Sequence, residues 1–185
     1  MALCASVGCR GPKPDRTSVR GTFALYMGIS TRGNYEAIYP LLASQVRQKI
    51  AIAHRNIREC VRLIEEHFPQ KLKAAALESL GPPALRSAPT PDKYLAALMN
   101  ASGRPALDIR ERLASKIKRI RETIPGTFRV TTVSGATLRF VREGDGRFYL
   151  VPPRRDCGMI QDEYTASLKL LNAAKRMVES LEHEG

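Results

Sequence analysis

The residues of this 185-residue chain that could ligate a metal or act as nucleophiles are Cys4, Cys9, Cys60, Cys157, His54, His67 and His183. No two cysteines have the two-residue separation of a zinc knuckle or a redox pair, and the histidines do not cluster with them. Cys60 falls on an apolar helical stripe, where a thiol packs as a small hydrophobe. That usage fits a reducing compartment with thiols and no metal. Glu65-Glu66-His67 gathers acid–base types, but neighbouring residues on a helix point to different faces, and no HExxH spacing is present. Asp156 and Cys157 set a carboxylate beside a thiol with no histidine near in sequence to serve as base. Gly144-Asp145-Gly146 is glycine-rich, yet the helix whose N–H groups would cradle a phosphate does not follow it. None of these is an active site, and the expectation is a non-catalytic protein with no cofactor.

What remains is charge. Thirty Lys and Arg against eighteen Asp and Glu give a formal charge of +12, which calls for an acidic partner: nucleic acid, an anionic surface or acidic protein subunits. Aromatic residues make up only 6% and Trp is absent, which weighs against a base-stacking platform. The apolar fraction of 43% and the charged fraction of 26% are those of a globular chain. No apolar run approaches the length of about eighteen residues that a membrane span needs. Residues 1–18 form a basic arm interrupted by Pro12 and Pro14, read either as a short organellar targeting segment or as a flexible arm.

The elements that must position these charges follow from periodicity. An apolar run at residues 23–27 precedes a Gly-rich stretch, and Asn34 is a candidate cap or turn before a helix limited by Pro40. Val46, Ile50, Ala53, Ile57, Cys60, Ile64 and Phe68 recur at steps of three and four, one face of a helix over residues 44–68 that Pro69 ends. A shorter helix over 70–80, a proline-rich loop over 81–91 and a helix carrying Tyr94, Leu95 and Leu98 come next. A further helix from about Pro105 turns Leu113, Ile117, Ile120 and Ile124 inward. It spreads Arg110, Arg112, Lys116, Lys118, Arg119 and Arg121 around its surface, with Arg110, Arg112, Lys116 and Arg119 forming a candidate basic face. At Pro125-Gly126 the period changes to two. Residues 127–133, 137–141 and 147–151 read as strands of a meander, before a last helix over about 162–182. The expected fold is mostly α with a small α+β part: a basic arm (1–18), a helical bundle domain (19–124) and a small α+β domain (125–185).

In order along the chain, four segments resemble one family. They are Phe23-Ala24-Leu25-Tyr26-Met27-Gly28-Ile29-Ser30, Ser102-Gly103-Arg104, the stretch GTFRVTTVSGATL over 126–138, and Val141-Arg142-Glu143-Gly144-Asp145. Their motifs, order and spacing resemble the oligomycin sensitivity conferral protein, mitochondrial counterpart of the bacterial and chloroplast delta subunit of ATP synthase. The chain departs from that pattern in its proline-rich loop, in Ser102 standing where the family has Asn, and in lacking a helix pair before the late hairpin. The resemblance implies an N-terminal six-helix bundle followed by a short β-hairpin or meander and a C-terminal helix. It implies a peripheral-stalk subunit that grips N-terminal helices of the ATP synthase α subunits and joins other stalk subunits, on the matrix side of the mitochondrial inner membrane or in a chloroplast or bacterial counterpart. Membrane contact would come only through the complex, with no direct nucleic-acid contact. The groove for the α-subunit helix would be built from Leu25 and Ile29 of the first helix with Leu95 and Leu98 of the fifth. The alternative reading from charge is a basic RNA-associated protein such as an organellar ribosomal subunit.

Overall fold

The longest uninterrupted apolar stripe organises the molecule. In the computed structural model, which describes residues 15–103 and 115–183, helix α2 (Ser44–His67) turns Ile50, Ala53, Ile57, Cys60 and Ile64 inward, none more than 2% exposed. Each buried isoleucine contributes on the order of 2 kcal/mol. Phe68 takes an extended conformation ahead of Pro69 and ends the helix.

Before it come α1 (Val19–Ser30) and a 3-10 helix (Glu36–Leu41). The latter replaces the α-helix expected after Asn34, and Pro40 inside it has no N–H to carry an α-helical ladder. After α2 come α3 (Gln70–Ser79), α4 (Pro83–Arg86) and α5 (Pro91–Ala101). So the proline-rich segment expected as a loop contains one short helical turn. The last helix, α6 (Arg154–His183), starts earlier than its apolar pattern predicted.

Helices α2 and α6 run side by side in the same direction. Lys49 donates to Gln161 (2.5 Å), Asn56 to Ser167 (3.2 Å), and His67 approaches Glu182 (3.8 Å), so both chains advance together. Ile160, Ser167 and Ala174, seven residues apart, are buried along α6. Asn56 and Ser167 form a buried polar pair, and a polar pair inside an apolar seam fixes register at some cost in stability.

Between α5 and α6 the chain forms an antiparallel four-stranded meander: β1 (Ile117–Ile124), β2 (Thr127–Thr132), β3 (Thr137–Arg142) and β4 (Phe148–Val151). The three expected strands are present. The expected helix from Pro105 is overturned in its described part, because residues 117–124 are strand β1; residues 104–114 lie outside the described residues, which do not confirm a six-helix bundle. The misreading has a physical cause. A register shift between Ile117 and Arg119 inserts one extra residue, so Ile117 and Ile120, three apart, fall on one face of a strand and imitate a helical step. Three β-branched isoleucines and Thr123 then favour the strand.

Ile120, Val130 and Leu138 stand opposite one another across β1–β3, as do Phe128, Phe140 and Leu150 across β2–β4. Val130, Phe140 and Leu150 pack with Val19, Phe23, Ile57, Leu95 and Ile160 in one core. Residues on both sides of the boundary at 124 therefore share that core. A second cluster joins Cys60, Leu63 and Ile64 to Leu80, Ala174 and Val178 at the far end of α2 and α6. Among the described residues no helix is long and apolar enough to cross a membrane.

Candidate functional site

The acid–base types singled out in the sequence brace the fold. Glu66 pairs with Arg62, and His67 lies 3.8 Å from both Glu66 and Glu182, tying the end of α2 to α6. Asp145 accepts from the Arg147 amide (3.0 Å) and the Tyr149 hydroxyl (2.5 Å), which closes the β3–β4 hairpin. The Tyr149 hydroxyl is the main reason the Asp145 carboxyl is held below its usual range. Arg16 and Arg47 lie 5.3 and 5.1 Å from the Tyr149 ring centre. The Cys157 thiol donates to the Pro152 carbonyl (3.1 Å), and burial raises its pKa. Burial likewise pushes the Cys60 thiol up to about 11. Neither cysteine has the depressed pKa of an activated nucleophile.

The concave feature lies elsewhere. A cleft of about 270 Å³ opens between α1 and α5, roofed by the 3-10 helix and floored by β4 and the start of α6. Tyr26 and Ser30, one helical turn apart, line its α1 wall; Leu95 and Met99, spaced alike, line its α5 wall. Leu150 and Ile160 add apolar floor, and Asp156 and Arg155 a charged corner.

Local sequence places these walls. Ser18 caps α1 by accepting from the Gly21 amide (3.0 Å). A Cβ at Gly21 would come within 2.7 Å of the Asp15 backbone, so only glycine lets the chain enter this helix as it does. The buried Thr22 hydroxyl donates to the Ser18 carbonyl (2.9 Å). On the other wall, fully buried Tyr94 donates to Glu163 of α6 and meets His54 edge to face at 5.6 Å. Burial, then the Glu163 contact, raises its pKa. These contacts hold α5 against α2 and α6.

One polar atom in the cleft stands out: the Ser30 Oγ is buried with no hydrogen-bond partner among the described residues. Such an orphan costs about 1–3 kcal/mol unless something entering the cleft satisfies it.

Of the residues expected to form the groove, Leu95 lines the cleft and Leu98 is core. Leu25 and Ile29 lie half-buried on α1, and the residues immediately after them, Tyr26 and Ser30, are those facing the cleft. One residue is about 100° of helix, so the expected face is rotated by that step. Sequence reasoning missed Tyr26, Ser30 and Met99, and weighed Asp156 only as a neighbour of Cys157. The i, i+4 pairs Tyr26/Ser30 and Leu95/Met99 were the available signal. On the expected basic face, Arg110 and Arg112 lie outside the described residues. Lys116 is exposed just before β1 and Arg119 is exposed on it, neither on a helix.

No protein-family model, curated protein or solved structure matches this chain.

Proposed function

We propose that the chain is a non-catalytic adaptor that anchors a partner helix at the α1–α5 cleft. The assembly that the sequence resemblance names for it is the stator of an ATP synthase, with the α-subunit N-terminal helix as occupant. One observation carries this: the cleft lies between the first and fifth helices, the pair from which the resemblance builds its groove. Its volume of about 270 Å³ suits inserted side chains rather than a whole helix. A helix lying over the opening would insert one or two apolar anchors and leave its backbone outside. The Ser30 hydroxyl, without a hydrogen-bond partner among the described residues, offers an inserted side chain or terminus one hydrogen bond. In this reading the protein sits on the matrix side of the mitochondrial inner membrane, joins other stalk subunits, and meets the bilayer only through the complex.

The test is calorimetric titration of the full chain with a synthetic α-subunit N-terminal helix. Saturable binding is expected, lost in Ser30→Leu, which fills the cleft, while circular dichroism stays that of the wild type. A folded wild-type chain that does not bind the peptide discards the reading.

A further inference from the structure

The sheet has a second face, turned away from the core, and its register lines up like charges. Arg121 of β1 stands opposite Arg129 of β2, which stands opposite Arg139 of β3. All three are exposed. Strands lie about 4.8 Å apart, so the row spans about 10 Å. Beside it runs a second row, exposed Arg119 opposite Thr131 opposite Thr137. No Asp or Glu occupies an outward position of this sheet. Glu122 pairs across from inward-facing Phe128. Glu143, just past β3, is committed to the Ser44 amide (2.6 Å) and to Arg47 (3.6 Å). Among the described residues the three arginines form no ion pair and no side-chain hydrogen bond.

Like charges directly opposite on neighbouring strands destabilise a sheet. A row of three with no counter-charge is therefore an arrangement that folding alone does not favour. We propose that this outer face binds the phosphodiester backbone of nucleic acid, without reading its bases. Arginine's planar fork matches phosphate oxygens, and threonine hydroxyls are ordinary phosphate donors. The face carries no exposed aromatic ring on which a base could stack. A protein partner would need an apolar centre to the patch, and a bilayer an apolar anchor. Apart from corner residue Ile124, the outward apolar groups within the strands' paired register are half-buried Val141 and Val151 and the buried Tyr149, which Arg16 and Arg47 cover, all at the β4 side. The formal charge of +12 would speed encounter with any polyanion; the row decides where it lands. This departs from the stator reading, which expects no nucleic-acid contact, and it stands or falls independently of the cleft.

The experiment is fluorescence anisotropy of the full chain with labelled single-stranded RNA and with duplex DNA, from low to moderate salt. Four arginines predict a log–log salt slope of about −3 to −4, so affinity falls on the order of a hundredfold between 50 and 200 mM salt. The double variant Arg129→Thr/Arg139→Thr should lose about tenfold or more in affinity and flatten the slope by about 1.5–2. Its melting temperature should not fall. Arg58→Gln/Lys71→Gln, which removes the same charge from exposed helix positions, should bind nearly as the wild type. Equal loss in the two double variants would mean that net charge alone binds, and would overturn the proposal. So would row-dependent binding to phosphatidylserine vesicles or polyglutamate tighter than to either nucleic acid.

Discussion

The α1–α5 cleft and the outer face of the sheet solve recognition with opposite materials. The cleft is concave, set against the core and mostly apolar, with the unsatisfied Ser30 hydroxyl and a charged corner of Arg155 and Asp156 as its polar groups. The outer sheet face carries exposed guanidinium groups and hydroxyls with no carboxylate at an outward position, and on its Arg139 side it borders a shallow pocket against the start of α2. Residues that build the cleft are also residues that build the fold, because Leu95, Leu150 and Ile160 belong to the main core. Residues that build the arginine row contribute nothing to that core. A change in the first region therefore mixes binding with stability, whereas a change in the second separates them.

The sharpest break comes from Leu95, only 2% exposed. Leu95→Ala should cost about 2–5 kcal/mol in chemical denaturation through lost transfer energy and the cavity left behind. Peptide binding at the cleft should fall with it, while nucleic-acid binding by the remaining folded fraction stays unchanged. A stability loss below about 1 kcal/mol would mean that α5 is not seated in the core as described.

Alkaline titration sharpens the contrast next. Folding raises the Cys60 pKa to about 11 and raises that of Tyr94, each chiefly through burial. The neutral forms are the ones the fold accepts. Stability from Cys60 is thus fully present below the ordinary thiol pKa and is lost as pH rises from there through about 11. Arginine stays charged across that range. Urea midpoints should therefore fall above about pH 9 while nucleic-acid affinity per folded molecule stays flat. A parallel decline of affinity from neutral pH would implicate titrating groups in the face.

How much of this was legible in the sequence depends on how local each signal is. Helix α2 was readable because Ile50, Ala53, Ile57, Cys60 and Ile64 repeat on one face, and strands β2 to β4 because their alternation is bounded by Gly-containing turns. β1 was not, since a bulge gave Ile117 and Ile120 a helical spacing that only the pairing with β2 exposes. Leu95 lines the cleft, and on α1 the residues facing it are Tyr26 and Ser30, next along the helix from Leu25 and Ile29. A helix's rotation is fixed by tertiary contacts such as that of the Thr22 hydroxyl with the Phe148 carbonyl of β4, not by the apolar positions alone. Arg119 and Arg121 were seen as basic, but on the wrong element. Their alignment with Arg129 and Arg139 is a matter of strand register and has no one-dimensional signature. The capping of α2 by Glu143, ninety-nine residues away, is of the same kind.

Ser30 tests whether the cleft is a site or merely a gap. Deleting a buried, unpartnered hydroxyl removes a desolvation cost, so Ser30→Ala should raise stability by about 1 kcal/mol. If the hydroxyl serves an occupant, the same change should weaken peptide binding about three- to tenfold, which is about 1 kcal/mol of hydrogen bonding. Higher stability with unchanged affinity would leave the cleft as a place where side chains enter without using Ser30.

The smallest expected effect discriminates most finely, because its sign runs against intuition for an interaction lost. Arg129 sits between Arg121 and Arg139, so Arg129→Thr relieves two cross-strand repulsions, while Arg121→Thr or Arg139→Thr relieves one. Each relief is worth about 0.2–0.5 kcal/mol, and threonine suits an exposed strand position at least as well as arginine. The central variant should therefore be stabilised about twice as much as either neighbour. Adding Arg139→Thr to Arg129→Thr should gain almost nothing further, a non-additivity that a double-mutant cycle by denaturant titration measures directly. Nucleic-acid affinity should meanwhile fall with every arginine removed. Stability rising as binding falls is the signature of a charge row retained for a ligand. Additive or destabilising changes would show instead that each guanidinium is a separate, solvated surface group.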